Sequence, residues 1–161
     1  MRIERIPDDN PVVPDVICSE KSVGEPEVHA SALFRVHHSS ESFTLRVEWA
    51  SDHSARDVEE SDFLLIPETG TIFFRTLYQW GVLDVRRAAL VRHEKAMYRP
   101  FISRHGSFVV IEDELQAEST DLWGRHVHSV PIDPPWDAVE HDDRIEYDCP
   151  VYGRQVLRLT R

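Results

Sequence analysis

A chain of 161 residues, 41% apolar and 29% charged, is long enough to bury a core without disulfide or metal staples and too apolar to remain disordered. Its formal charge of −11 works against nucleic acid, whose binding rests on Lys and Arg displacing counterions from phosphate. No apolar run reaches the roughly 18 residues that a membrane helix requires, and the opening MRIERIPDDN is charged and proline-broken, so a soluble cytoplasmic protein is expected.

Pro7, Pro11, Pro14 and Pro26 each fix their own φ and restrict the residue before them, which prevents a regular helix. Residues 1 to 27 are therefore expected to form a proline-rich extended arm, followed by a single β-rich domain over residues 28 to 161. From Val28 the pattern takes on period two. In SFTLRVEW, Phe43, Leu45, Val47 and Trp49 fall on one side and Thr44, Arg46 and Glu48 on the other, the signature of a half-buried strand. HASALFRVH before it alternates less cleanly, HSSES supplies turn chemistry, and the two segments predict a hairpin. The polar stretch ASDHSARDVEESD reads as a surface loop with room for one helical turn.

FLLIPETGTIFFRT predicts a second hairpin, with Pro67 opening the turn and Gly70 taking a positive φ. Residues 81 to 97 carry both periodicities. Leu83, Val85, Arg87, Ala89 and Val91 alternate, whereas Ala89, Leu90, His93, Glu94 and Met97 recur at helical spacing. The preferred reading is a strand to Val85 followed by a short helix over residues 88 to 97. Beyond it FVVIE, LQAES and RHVHSVP read as strands, DLWG as a turn ended by Gly124, and RIEYDCPVYGRQVLRLT as a closing hairpin bent at PVYG.

FLLIPETGTIFF and FVVIEDELQAES begin 45 residues apart, close to the period of a β-propeller blade, but the chain holds too few such units to close a propeller alone. Successive hairpins in one antiparallel sandwich or partly open barrel are the expected architecture. A subunit of a larger β assembly is the alternative that the period suggests.

Catalytic motifs are sparse. The chain has no GxSxG elbow and no glycine-rich phosphate loop, and six glycines leave little backbone to cradle phosphates. Adjacent acids such as Glu112 and Asp113 would point to opposite faces of a strand and make no catalytic pair. Cys18 and Cys149 are too few to form a disulfide framework and are expected as reduced, structural thiols. Only Lys21 and Lys95 among the 18 basic residues are lysine, an arginine skew that suggests a GC-rich, bacterial coding sequence.

Two candidate sites stand out. On a strand His126 and His128 share a face, and Asp133 stands five positions beyond the second histidine. To that extent the stretch resembles the first motif of the metal-binding cupins, although Thr120 and Glu140 occupy the positions of that family's glycines. The resemblance implies a barrel enzyme or small-molecule binder holding Zn, Fe or Mn through His126, His128 and Asp133. An ordinary strand with two polar positions is the plainer reading. The second candidate is Trp136 in DPPWDAVEHDD, a proline-stiffened loop where tryptophan stands near Asp137, Glu140, Asp142 and Asp143. Tryptophan is enriched at binding hot spots, so this segment can grip a basic protein partner, or Trp136 can fold back as a lid on the core. Acidity, the single compact domain and the missing catalytic constellation together predict a non-catalytic binding protein, in the manner of bacterial immunity or inhibitor proteins.

Overall fold

A computed structural model of the chain describes residues 1–7, 12–25, 27–50 and 57–160. The chain divides into two compact units, Met1–Lys95 and Ala96–Arg161. Each is built from β-sheets that share a core, so the fold is the antiparallel β-sandwich class that the hairpin pattern predicted. Among the described residues, helical structure is limited to two 3-10 turns, Glu20–Val23 and Glu60–Asp62. Among the described residues no helix is long and apolar enough to cross a membrane.

The first unit has two four-stranded sheets. In one, β1 (Arg2–Ile6), β3 (Ala30–His38), β4 (Glu41–Trp49) and β2 (Val16–Ser19) lie in that order, with β2 parallel to β4 and the other pairs antiparallel. Stretches of the expected arm thus form ladders: Ile3 pairs with Val36 and Val16 with Leu45. Two of its prolines, Pro11 and Pro26, and residues 51–56 of the polar loop lie outside the described residues. The β3–β4 hairpin follows the sequence reading, and Phe43, Leu45, Val47 and Trp49 are all buried. Thr44 is buried as well, because its backbone N–H and hydroxyl both donate to the Asp15 carboxylate, at 2.7 and 2.8 Å.

The second sheet is a meander of β5 (Phe63–Ile66), β6 (Thr71–Arg75), β7 (Gln79–Asp84) and β8 (Ala89–Lys95). The β5–β6 turn is the expected one, with Gly70 at φ 69°. Phe34 of β3 meets Phe63 of β5 edge to face at 4.8 Å, and Leu45, Val47, Ile72, Phe74 and Leu83 complete the same core.

The helix expected over residues 88 to 97 does not form; β8 takes its place. Ala88 adopts a positive φ of 46° and ends a turn, after which the chain pairs back on β7, Leu90 opposite Leu83 and His93 opposite Gly81. A Cβ on Gly81 would stand 2.5 Å from the Phe74 ring and 2.8 Å from the Arg92 carbonyl, so glycine is what lets β8 close on β7. A helix would forgo that ladder and leave one whole edge of β7 unpaired, a cost that weak helical spacing does not offset.

The second unit contains the antiparallel meander β9 (Phe101–His105), β10 (Phe108–Glu112), β11 (Gln116–Asp121) and β12 (His126–Pro131), and a three-stranded sheet of β13 (Asp137–Glu140), β14 (Arg144–Cys149) and β15 (Gly153–Arg158). Val110, Ala117, Val130, Ile132, Ile145, Tyr147 and Leu157 fill the space between them. The closing hairpin turns at Pro150–Tyr152 as expected. Residues after Trp136, read as a loop, instead form β13, an edge strand with all four residues exposed. Cys18 and Cys149 are both buried free thiols. Burial pushes the Cys18 thiol up to about 12, so it stays protonated at neutral pH and is no nucleophile.

Candidate functional site

Trp136 lies beyond β12 in a proline-rich connection, and sheet packing decides what surrounds it. One side of the indole packs on the core of the second unit. With Tyr98, Phe101 and Pro134 it also lines a cleft of about 400 Å³ that takes its acid from Glu112, Asp113 and Glu114. Trp136 is therefore both a lid on the core and a cleft wall. Tyr98 and Phe101 are more than half exposed, at 60% and 57%, so their rings are presented at the surface.

Asp113 builds the rim. Its carboxylate accepts the backbone N–H groups of Met97 at 2.9 Å, Tyr98 at 3.2 Å and Glu114 at 2.7 Å, which ties the segment leading into β9 to the end of β10 and sets Tyr98 beside the cleft. Glu112 supplies the floor. Its Oε1 accepts the Tyr147 hydroxyl at 2.8 Å, a bond that joins β10 to β14. Burial raises the Glu112 carboxyl above its ordinary range; the Tyr147 bond and His105 pull it down, and Glu140 pushes it up. Tyr147, itself fully buried, is raised by burial first and by Glu112 next. Arg99 also lines the cleft, beside the Glu112, Asp113 and Glu114 carboxyl groups, of which Asp113 is already met by backbone N–H groups.

The acids that the sequence placed around Trp136 go elsewhere. Asp137 and Glu140 lie on exposed β13, where Glu140 Oε2 sits 3.4 Å from His105 Nδ1. Asp142 is exposed in the β13–β14 turn, and Asp143 accepts from Arg144 at 2.9 Å. None of the four lines the Trp136 cleft. The sequence marks Glu112 and Asp113 only as adjacent acids that make no catalytic pair, because their partnership with Trp136, like that of Glu114, arises only through tertiary packing. A compact acidic turn, EDE, directly after an apolar strand was the available signal.

The histidine pair stands in different company. β11 pairs with β12 through a bulge, with Ser119 opposite His128 but Thr120 opposite His126. That extra residue interrupts the strict alternation of side chains, yet both histidines line one cleft of about 500 Å³ with Arg125, Arg158 and Thr160. His128 Nδ1 accepts the backbone N–H of Arg158 at 3.3 Å. Burial, then Arg158, then His126 lower the His128 pKa. Asp133 is committed elsewhere: its carboxylate accepts the Val151 N–H at 3.0 Å and the Tyr152 N–H at 3.1 Å, capping the β14–β15 turn. Among the described residues no group of three or more His, Cys, Asp or Glu is gathered where it can hold a metal ion, so His126, His128 and Asp133 are not brought together as a ligand set.

No family model matches the chain and no curated protein matches it in sequence, which leaves the chemistry of these clefts to carry the functional reading.

Proposed function

We propose that this protein is a non-catalytic binding module that receives a basic side chain of a partner protein in the Trp136 cleft, acting in the cytoplasm as an immunity- or inhibitor-type protein does. The observation that carries this reading is the pairing of aromatic walls with a carboxylate floor. A guanidinium or ammonium group over an aromatic face gains from the ring quadrupole, more so when partly desolvated, and nearby carboxylates add charge-assisted hydrogen bonds. An overall charge of −11 steers a basic partner toward the surface before the short-range contacts form.

An arginine-rich peptide of four to six residues serves as the probe, titrated calorimetrically at low ionic strength against the whole chain. Saturable binding is expected, and Trp136→Ala is expected to weaken it about tenfold, the order of a lost aromatic anchor. A neutral peptide of equal length binding as tightly, or unchanged affinity in folded Trp136→Ala, refutes the proposal.

A further inference from the structure

The second cleft has the opposite character. Arg125 and Arg158 line it together, and neither guanidinium is ion-paired among the described residues, whereas arginines nearby are matched: Arg144 and Arg154 both meet Glu146. In a chain with a surplus of acid, two guanidinium groups without an ion pair among the described residues, Arg125 standing 5.8 Å from the Trp123 ring centroid, mark a local reversal of sign beside two imidazoles. Among the described residues the one acid in the lining, Asp121, is 3% exposed and turned into its own loop, where Oδ1 accepts the N–H groups of Trp123 at 2.9 Å and Arg125 at 3.0 Å. Its charge is met by backbone dipoles and opposes an incoming anion only weakly.

The tautomer of His128 points the same way. A backbone N–H can only donate, so the Nδ1 facing Arg158 N must accept, and neutral His128 therefore carries its proton on Nε2. A protonated Nε2 cannot ligate a metal but can donate to an oxygen. The cleft thus offers two guanidinium forks, an imidazole N–H and the Thr160 hydroxyl. Guanidinium forks match tetrahedral oxyanions in geometry as well as charge. The His128 pKa is lowered first by burial and then by Arg158 and His126, and an anion in the cleft would offset the latter two.

We propose that the cleft between β12 and β15, walled by Arg125, His126, His128, Arg158 and Thr160, binds the phosphoryl or sulfuryl group of a small molecule. This site is independent of the Trp136 cleft: its loss leaves peptide binding intact, and the reverse holds.

The test is an NMR titration of the imidazole C–H signals of His126 and His128 in the whole chain, with inorganic phosphate and sulfate as probes and sodium chloride holding ionic strength constant. Saturable shifts with either oxyanion are expected, with an upward move of the His128 titration midpoint. The preferred anion then assigns the group. Arg158→Gln, an exposed position on β15, is expected to weaken binding roughly tenfold or more, the scale of a charged hydrogen bond. Arg125→Gln, also exposed, gives the same reading should the first variant fold poorly. Shifts no larger than chloride produces, or wild-type affinity retained in both folded variants, overturn the assignment.

Discussion

Glu20 in the first unit and Glu112 in the second are both withdrawn from solvent, but in different company. Glu20, wholly buried, accepts the Ala50 N–H at 2.6 Å, the Tyr78 N–H at 3.0 Å and the Thr76 hydroxyl. It joins the end of β4 to the β6–β7 turn, and so one sheet to the other. Beside it Gln79 works likewise: Nε2 donates to the Glu48 carbonyl at 2.9 Å, which leaves Oε1 to accept from His93 Nε2 at 2.5 Å. Glu112 has one side-chain partner, Tyr147, and looks onto a cleft. The lesson is that burial alone does not mark a functional carboxylate. A buried acid with its acceptor sites filled is a structural joint, and one with capacity left beside an open cavity is a candidate for binding.

That contrast can be broken by experiment. Glu20→Ala should have the largest effect, about 3 kcal/mol of lost stability, because it strands two backbone N–H groups and a hydroxyl in the interior. Chemical denaturation reads it directly, and affinity for the arginine-rich peptide should be unchanged in the folded fraction. A loss below ~1 kcal/mol would remove Glu20 from its role as a joint. Tyr147→Phe is expected to cost about 1 kcal/mol, the net value of one hydrogen bond. It should also push the Glu112 carboxyl further up, since the hydroxyl currently stabilises the ionised form. Carbonyl NMR of Glu112 in wild type and variant checks the direction of that move.

The subtlest expectation concerns pH. At pH well below the ordinary Glu value of 4.5, Glu112 is protonated whether the chain is folded or not, and its full contribution to stability is present. As pH rises through the raised folded value, the folded chain must ionise a carboxyl in a poorly solvated place, and that contribution is lost. A cationic ligand prefers the ionised floor, so peptide affinity should rise over the same window. Glu112→Gln should flatten the part of both profiles due to this group, with Glu114, Asp113, His105 and Glu140 left in place around it. An unaltered affinity profile in the variant would separate Glu112 from the binding event.

Much of the fold was legible because local pattern and tertiary demand agreed. The alternation of Phe43, Leu45, Val47 and Trp49 specifies a buried face without reference to the rest of the chain, and Pro67 with Gly70 specifies a turn. β8 was misread because Leu90, Glu94 and Met97 mimic helical spacing, while the deciding term, the unpaired edge of β7, is invisible locally. No shift in composition marks the division after Lys95, and the arm's strands find partners as far along the chain as residue 48. Of the sites, Trp136 was visible as a residue but its acidic partners were not, since β10 and the Trp136 segment meet only after folding. The histidine pair was visible too, but Asp133 reads as a ligand only until the β14–β15 turn claims both its oxygens.

β13 has a further consequence. It lies at the end of its sheet with every residue exposed, presenting unanswered backbone groups that invite another strand. A second copy adding antiparallel along that edge would bring Asp137 of one molecule toward Glu140 of the other, at both ends of the junction. The four residues DAVE therefore carry their own deterrent to edge-to-edge pairing, because like charges would meet at each end of the junction.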